Sequence, residues 1–277
     1  MGLSIFGKKE EAEYVQPLVA RPRVQRQLSY RIANLQGVGA RARQEDSFAV
    51  ANAMDVSQIR EQGLFFAVCD GMGGMKDGKL GSETAIASLR TTFMKIDRNG
   101  DIAAQLKQGI YTASEEVEAV IGGEGGSTAI ACIIYQEKLY YAGVGDSFLY
   151  LLRDGQLYRI NREQNVCHRT YLEVIREGGI DPADYLVMAE AGALTEFLGM
   201  IGLEDVDWLI RPMPLQNGDV LLACSDGVGG VLEEDEVRMA LTLPTEQEMC
   251  NFMEQRLIDH ARRNQDNYTA LVVKCVY

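Results

Sequence analysis

Two stretches of the sequence share one build, in which an apolar run ends in Asp-Gly and further glycines. They are LFFAVCDGMGG, residues 64–74, and VLLACSDGVGG, residues 220–230. Each run is apolar at consecutive positions, which predicts a strand that is covered on both faces. A carboxylate at the end of such a strand is costly without a partner. The two strand ends therefore predict a shared site that contains Asp70 and Asp226.

The rest of the chain combines helical periodicity with short antiparallel connections. Apolar stripes at helical spacing lie in residues 86–96 and 102–121, and residues 245–263 open with a capping box. Asp154-Gly155 between two apolar runs indicates a hairpin. Strands that are apolar on both faces need cover on both sides. We therefore expect an α+β fold, a four-layer α-β-β-α sandwich of two antiparallel sheets flanked by helices.

The domain organisation follows from where periodicity begins and where it is interrupted. Residues 1–28 are charged and aperiodic and predict a flexible N-terminal tail, so residues 29–277 form the folded domain. Residues 161–206 are polar and irregular, and we interpret them as a flap. The apolar stretch at the start of the sequence is too short for a signal peptide, and no later stretch is long and apolar enough to predict a membrane span.

Charge and cysteine content narrow the function classes. The formal net charge of −13 is not offset by any Lys/Arg-rich block, which argues against nucleic acid as a partner. None of the six cysteines forms a Cys-x-x-Cys pair, and four lie in apolar runs as small core residues. A reducing compartment, the cytoplasm, is therefore expected.

Acidic residues occur at four places at or beside strand ends. They are Glu45 with Asp46, Asp70, Asp226 and Asp266. Oxygen ligands without clustered histidines or thiolates favour Mg²⁺ or Mn²⁺ over Zn²⁺. Several carboxylates around one point repel one another, so we expect two divalent ions, which at ~4 Å separation can share and deprotonate a water.

The glycines and the paired acids refine this metal-site prediction. Gly71 has no side chain, so its carbonyl can approach an ion closely. If residues 44–48 are extended, Glu45 and Asp46 point in opposite directions, and only one of them ligates directly. Arg41 and Arg43 precede the acids, and either guanidinium suits a phosphate.

Two weaker motifs suggest other chemistry. GGMKDGKL, residues 73–80, matches the Gly-x-x-x-x-Gly-Lys of a phosphate-binding loop, but Leu80 stands where Ser or Thr must reach Mg²⁺. GVGARA, residues 37–42, approximates a dinucleotide fingerprint, but a strand rather than a helix follows it. The hairpins also argue against the parallel sheet that the phosphate-binding loop needs.

In chain order, RARQEDS, FAVCDGMGG, GGSTAIACII, AGVGDSFLYLLRDG, LLACSDGVGG and QDNYTALVV resemble the motifs of the metal-dependent serine/threonine protein phosphatases of the type 2C class. The likeness is to the bacterial branch and covers about residues 30–277. The family's fold is the four-layer sandwich expected above. The resemblance implies hydrolysis of phosphoserine and phosphothreonine in proteins by direct attack of a metal-activated water. It also implies phosphorylated protein substrates and an opposing serine/threonine kinase.

The resemblance also implies roles for individual residues. Asp70 would bridge both ions, Gly71 would offer its carbonyl, and Arg41 would hold the phosphate. Glu45, Asp226 and Asp266 would complete the metal site, with Asp46 counted in it as the second acid of its motif, behind the direct ligands. Asn267 would orient Asp266, and Asp146 would support the site together with Ser127, Thr128 and Gly145.

Three departures from the family's pattern leave alternatives open. Phe148 stands where the family has Arg, and Met72 replaces a histidine common in eukaryotic members. A third ion is an open question, with Glu124 as its candidate ligand. The alternative functions are a catalytically silent binding module, a phosphatase of small metabolites, and a nucleotide hydrolase that uses residues 73–80.

Overall fold

The computed structural model describes residues 27–72, 78–176, 178, 192–260 and 263–277. Its strands, in chain order, are β1 Ser29–Gly37, β2 Ser47–Ala51, β3 Leu64–Cys69, β4 Gly71–Met72, β5 Gly126–Ser127, β6 Ala129–Tyr135, β7 Lys138–Val144, β8 Phe148–Arg153, β9 Gln156–Arg159, β10 Asp207–Trp208, β11 Met213–Pro214, β12 Val220–Cys224 and β13 Tyr268–Val276. Its helices are α1 Val56–Gln62, α2 Gly78–Lys95, α3 Ile102–Ile121, α4 Val166–Arg176, α5 Asp226–Gly229, α6 Glu234–Leu241 and α7 Glu246–Asp259.

The main strands form two antiparallel sheets. One has the order β1-β13-β12-β8-β9, and the other has the order β10-β7-β6-β3-β2 with β11 also on β7. The strands β3 and β12, which end at Asp70 and Asp226, are interior strands of different sheets. Every strand pair within the described ranges is antiparallel. This pairing excludes the parallel sheet that a phosphate-binding loop or a dinucleotide fold requires there.

Three apolar layers separate four layers of secondary structure. Alternate residues of β3 explain the arrangement, because Phe65 packs against α2 and α3 while Phe66 faces the other sheet. In the second sheet Leu221 faces inward, and Leu222 packs towards α6 and α7. The predicted four-layer α-β-β-α sandwich is confirmed, and both central strands are buried on both faces for this reason.

The predicted hairpin and capping box appear at the expected places, whereas α7 ends at Asp259, before the predicted residue 263. Asp154 and Gly155 both have positive φ, 51° and 76°, as the predicted two-residue hairpin requires. Gly122 ends α3 in the left-handed conformation. Thr245 and Glu248 form the capping box of α7, and His260 is the residue that ends this helix.

The segment interpreted as a flap, 161–206, is anchored at both ends. Asn161 and Gln164 are buried, and Leu198 and Val206 belong to the core between the sheet and α3. Between these ends lies α4, which has no fully buried residue, while residues 177 and 179–191 fall outside the described residues. The ends of the segment are thus part of the sandwich, which leaves α4 as the described part that a flap can contain.

The tail predicted over residues 1–28 overlaps the structure only at its last residues. Residues 1–26 lie outside the described ranges, and Leu28 is buried between the sheets. None of the helices in the described ranges combines the length and apolar character that crossing a bilayer demands.

Candidate active site

The sheet register brings the predicted acidic residues to one end of the sandwich. Ser47 of β2 pairs with Cys69 of β3, so β2 begins where β3 ends. Cys224 of β12 pairs with Ala270 near the start of β13 in the same way. The residues just outside these four strand ends are therefore neighbours, although they come from four distant parts of the sequence.

A cavity of about 310 Å³ opens at this end of the sandwich. Five acidic side chains and one arginine line it, namely Glu45, Asp70, Asp146, Asp226, Asp266 and Arg41. The other described lining residues are Gly71, Met72, Thr128, Gly192, Ala193 and Leu194. The predicted residues that meet at this cavity are Arg41, Glu45, Asp70, Gly71, Thr128, Asp146, Asp226 and Asp266. Asp46, Asn267, Ser127 and Gly145 are not among its described lining residues.

Asp46 is fully buried and, unlike Glu45, is not among the described residues that line the cavity. Its Oδ2 accepts a hydrogen bond of 2.9 Å from Ser225 Oγ, the residue before Asp226. Ser225 Oγ in turn accepts from the backbone N–H of Thr269 in β13. Through Ser225, Asp46 links the two sheets beneath the cavity.

Asp70 is held through its own backbone by Ser127, the end of β5, and Thr128, which lies between β5 and β6. Its N–H donates to Thr128 Oγ1 at 3.0 Å, and its carbonyl accepts from the Thr128 N–H at 2.9 Å and from Ser127 Oγ at 3.0 Å. Thr128 Oγ1 also contacts Ser147 Oγ at 2.7 Å. These bonds fix the Asp70 main chain, which agrees with the supporting role expected for Ser127 and Thr128.

Asn267 organises the loop that carries Glu45. Its Oδ1 accepts from the Glu45 N–H at 2.7 Å, and its Nδ2 donates to the carbonyls of Val38 and Arg43. Its backbone N–H donates to Asp266 Oδ1 at 2.8 Å. Asn267 therefore orients Asp266 with its main chain and holds the Glu45 loop with its side chain, which is a wider role than the sequence suggested.

Two glycines allow close approach at the site. A Cβ on Gly71 would lie 2.2 Å from the Gly78 carbonyl oxygen and 2.6 Å from that of Glu45. A Cβ on Gly227 would lie 1.8 Å from the Asn267 carbonyl oxygen. Any larger residue would force apart the segments that carry the acidic side chains.

Both arginines before the acid pair form ion pairs with acidic residues of the cavity. Arg41 Nη2 lies 2.6 Å from Asp266 Oδ2, and Arg43 Nε lies 2.8 Å from Glu45 Oε1. Arg41 lines the cavity, whereas Arg43 does not. This difference favours Arg41 as the guanidinium that a ligand in the cavity would meet.

Burial and mutual repulsion dominate the electrostatics of the cavity. Burial, then the charges of Asp46 and Asp226, raises the pKa of Asp70 well above its usual range. Burial, then the charge of Asp226, raises the pKa of Asp146 to about 7. The pKa of Asp226 is raised chiefly by burial. The cavity therefore disfavours several simultaneous negative charges unless a cation compensates them.

The donor set fits divalent cations that prefer oxygen. Carboxylate oxygens dominate it, and one oxygen of Asp226 is buried without a hydrogen-bond partner, as is one of Asp46. Within the described part of the chain, no three acidic, histidine or cysteine side chains already stand in a ready-made metal arrangement. The acidic side chains contact Arg41, Arg43 and one another instead, so ion binding would exchange these contacts for metal ligation.

The three positions at which the sequence departs from the family's pattern, Phe148, Met72 and Glu124, lie in different surroundings. Phe148 is buried against Gly229 of α5, and the Arg159 guanidinium lies 3.7 Å from its ring centroid. A cation–π contact therefore stands where the family's pattern has an arginine. Met72 lines the cavity, but Glu124 is not among its described lining residues. The hypothesis of a third ion at Glu124 therefore gains no support.

Sequence reasoning missed Ser225 and two residues of α2, Lys79 and Ser82. Ser225 directly precedes Asp226, and period-two alternation could have placed it on the opposite side of the chain, towards Asp46. Lys79 Nζ donates to the Asp46 carbonyl, and Ser82 Oγ donates to the Glu45 carbonyl. No local pattern indicates these two contacts, because they cross more than thirty residues of sequence.

Comparison with known proteins adds a family and several relatives. The model of the protein phosphatase 2C family matches residues 31–174. The serine/threonine phosphatase stp of Listeria monocytogenes is 30% identical over 183 residues, which are 63% of this chain and 70% of that protein. The serine/threonine protein phosphatase PstP of Mycobacterium tuberculosis is 28% identical over 218 residues, 76% of this chain but only 40% of that protein.

Solved structures are similar over almost the whole chain. The catalytic domain of the serine/threonine protein phosphatase PstP, solved in complex with 2 manganese ions, has a TM-score of 0.69 and 25% identity. The match covers 91% of this chain and 100% of that one. The similarity therefore extends beyond the residues that the family model matches.

Proposed function

The chain belongs to the protein phosphatase 2C family and is a metal-dependent protein serine/threonine phosphatase, and on this premise we propose which residues carry the reaction. Asp70, Asp226, Asp266 and Glu45 hold two divalent ions, with the Gly71 carbonyl as a further ligand and Asp46 and Asn267 behind them. The convergence of five acidic side chains and Arg41 on one cavity is the observation that carries this assignment.

When bound, the ions supply an activated water and neutralise the carboxylates. Arg41 donates hydrogen bonds to the substrate phosphate, for which its planar guanidinium is suited. Ser225 keeps Asp46 in place, and Thr128 and Ser127 fix the Asp70 main chain. Asp146, next to Asp226 in the cavity, stays a supporting residue in this assignment.

The described lining also bears on whether the protein itself is the nucleophile. It contains no cysteine, and its one hydroxyl, that of Thr128, is bound to the Asp70 N–H and to Ser147. These observations support direct hydrolysis without a phosphoenzyme.

Mn²⁺ and Mg²⁺ are both compatible with the oxygen ligands. The proposed substrates are proteins that a serine/threonine kinase has phosphorylated. All six cysteines are free thiols, which supports a reducing compartment such as the cytoplasm.

A phosphothreonine peptide assay tests the proposal directly. The protein is stripped with a chelator and dialysed, and phosphate release is then measured without metal and with added Mn²⁺ or Mg²⁺. We expect turnover only with added metal. Full turnover after dialysis would contradict the metal assignment. Nucleotide hydrolysis in place of peptide hydrolysis would favour the alternative based on residues 73–80.

A further inference from the structure

The lysine of the Gly-x-x-x-x-Gly-Lys motif is turned towards the loop that carries the acids. Lys79 lies in the first turn of α2, and its Nζ donates to the Asp46 carbonyl at 2.8 Å and to Ser47 Oγ at 2.9 Å. The side chain is only 32% exposed. Lys79 does not line the active-site cavity; it lines a neighbouring one of about 330 Å³, with Gln36 and Arg90.

Ser82, almost one helical turn later, completes the contact. Its Oγ is fully buried, lies 2.5 Å from the Glu45 carbonyl oxygen, and is 2.9 Å from Ser47 Oγ. The hydroxyls can therefore form a continuous chain, in which Lys79 donates to Ser47, Ser47 to Ser82, and Ser82 to the Glu45 carbonyl. Such chains strengthen each member in a buried setting.

The three residues held in this way, Glu45, Asp46 and Ser47, include both acids of one motif. Their main chain also packs against the first turn of α2, because a Cβ on Gly71 would meet both the Gly78 and the Glu45 carbonyls. The carboxylates themselves are bound elsewhere, Glu45 by Arg43 and Asp46 by Ser225. Lys79 and Ser82 thus act on the backbone from which these side chains project.

We propose that Lys79 is a positioning residue for metal binding, which holds the Glu45–Ser47 backbone so that Glu45 faces the ions and Asp46 keeps its place behind the direct ligands. This inference rests on the proposed function. It assigns the lysine a role different from that in a phosphate-binding loop, because its ammonium group contacts the protein itself, at the Asp46 carbonyl, Ser47 Oγ and, at 3.7 Å, Glu83 Oε1. Loss of groups that orient metal ligands lowers metal affinity by about 10–100-fold.

Calorimetric titration of Mn²⁺ into the metal-stripped protein tests this role without relying on turnover. We expect Lys79→Met to raise the Kd for Mn²⁺ about tenfold or more. Lys79→Arg, which keeps a charged donor, should recover most of the affinity. Lys95→Met is the matched control, because Lys95 lies exposed in the last turn of the same helix, and its Kd should stay within about twofold of wild type.

A second measurement separates positioning from phosphate binding. At saturating Mn²⁺, the KM of Lys79→Met for a phosphothreonine peptide should stay within about twofold of wild type. A raised KM with unchanged Mn²⁺ affinity would overturn the proposal in favour of direct phosphate contact. Unchanged Mn²⁺ affinity and unchanged KM would overturn it in favour of a purely structural lysine.

Two further arms keep the test decisive. If Lys79→Met does not fold by circular dichroism, Ser82→Ala replaces it, because this change removes the donor to Glu45 without altering charge. Ser82→Ala should then weaken Mn²⁺ binding, and an unaltered Kd would count against the proposal. Failure of wild type itself to bind Mn²⁺ would instead contradict the proposed function, so the two failures are distinguishable.

Discussion

Arg41 and Asp266, which both line the cavity, form an ion pair with Nη2 and Oδ2 2.6 Å apart. The two residues are separated by 225 positions in sequence. Both side chains keep substantial exposure, 50% and 41%. In the proposed site the two have separate tasks, since Asp266 ligates an ion and Arg41 binds phosphate. The pair therefore holds the guanidinium proposed to bind phosphate directly beside a carboxylate proposed to bind an ion.

Replacing Arg41 by Ala should impair catalysis much more than stability. Hydrogen bonds between charged groups contribute about 1.5–3 kcal/mol, so kcat/KM for a phosphopeptide should fall about tenfold or more. An exposed ion pair contributes only about 0–1 kcal/mol to folding, so the thermal midpoint should change little. Steady-state kinetics and a thermal melt of the same preparation check both expectations.

Arg43→Ala is the matched control for this prediction. Arg43 pairs with Glu45 but does not line the cavity. Its loss should therefore reduce kcat/KM less than the loss of Arg41 does. A larger effect at Arg43 than at Arg41 would mean that the phosphate-binding residue has been assigned wrongly.

Asp70→Asn and Asp226→Asn should remove activity without removing the fold. A neutral amide binds divalent ions poorly, so phosphopeptide turnover should fall to background. Burial and neighbouring acids raise the pKa of both carboxyls in the folded protein. A raised pKa means that the ionised form destabilises the folded state at neutral pH. The variants should therefore melt at the same or a higher temperature than wild type in chelator.

The same melts with Mn²⁺ provide the contrast. Wild type should be stabilised as Mn²⁺ is added, because a ligand that binds only the folded state shifts the unfolding equilibrium. The two variants should lose most of this shift. A variant that melts well below wild type in chelator would show that the carboxylate supports the fold.

Stability in acid should depend on Glu236, which does not line the active-site cavity. At the C-terminal end of α7, His260 and Arg256 both hydrogen bond to Glu236, and these contacts lower the pKa of Glu236 to about 2. A lowered pKa stabilises the folded state above the unfolded value of 4.5, and this contribution is lost as pH falls towards about 2. Glu236→Gln should therefore be less stable than wild type at pH 7, and the difference should shrink below pH 4.5.

Denaturant titrations at several pH values measure that difference. Asp235→Asn is the matched control, because Asp235 is the exposed neighbour on the same helix, 83% exposed in its side chain. Asp235→Asn should change the free energy of unfolding only slightly at every pH measured. A difference between Glu236→Gln and wild type that stays constant from pH 7 to pH 3 would contradict the linkage argument.

Sequence reasoning was strongest where local chemistry decides the structure. The runs of β3 and β12 predicted central strands because strands buried on both faces must be apolar at every position. It was weakest where a contact depends on tertiary approach. No periodicity in the sequence relates Lys79 to the main-chain carbonyl of Asp46 that it contacts, or Arg159 to the ring of Phe148. The packing of Leu198 in the core, which anchors the C-terminal part of the segment 161–206, was likewise missed. A short apolar stretch among polar residues gives no periodic signal.

The central part of the segment 161–206 should select the protein substrate without taking part in the chemistry. Backbone bonds join it to the active site, since Leu194 lines the cavity and forms an isolated bridge with Asn165. Just beyond this bridge lies a polar cavity of about 220 Å³ that residues of α4 line, among them Glu173 and Arg176. A peptide that extends past its phosphate could reach these charges, whereas a small aryl phosphate could not.

Alanine at Glu173 and Arg176 should therefore lower kcat/KM for phosphopeptides and leave aryl phosphate hydrolysis within about twofold. Asp184, a third charge proposed for this test, lies outside the described residues. Arg238→Ala on the outer face of α6 is the matched control and should affect neither substrate. If the segment only covers the core, Leu172→Ala should lower thermal stability, and the alanine substitutions at Glu173 and Arg176 should change the hydrolysis of neither substrate.

An equal loss of kcat/KM on both substrates would instead mean that the segment helps to build the metal site. Comparing the two substrates at saturating Mn²⁺ therefore decides among the three roles.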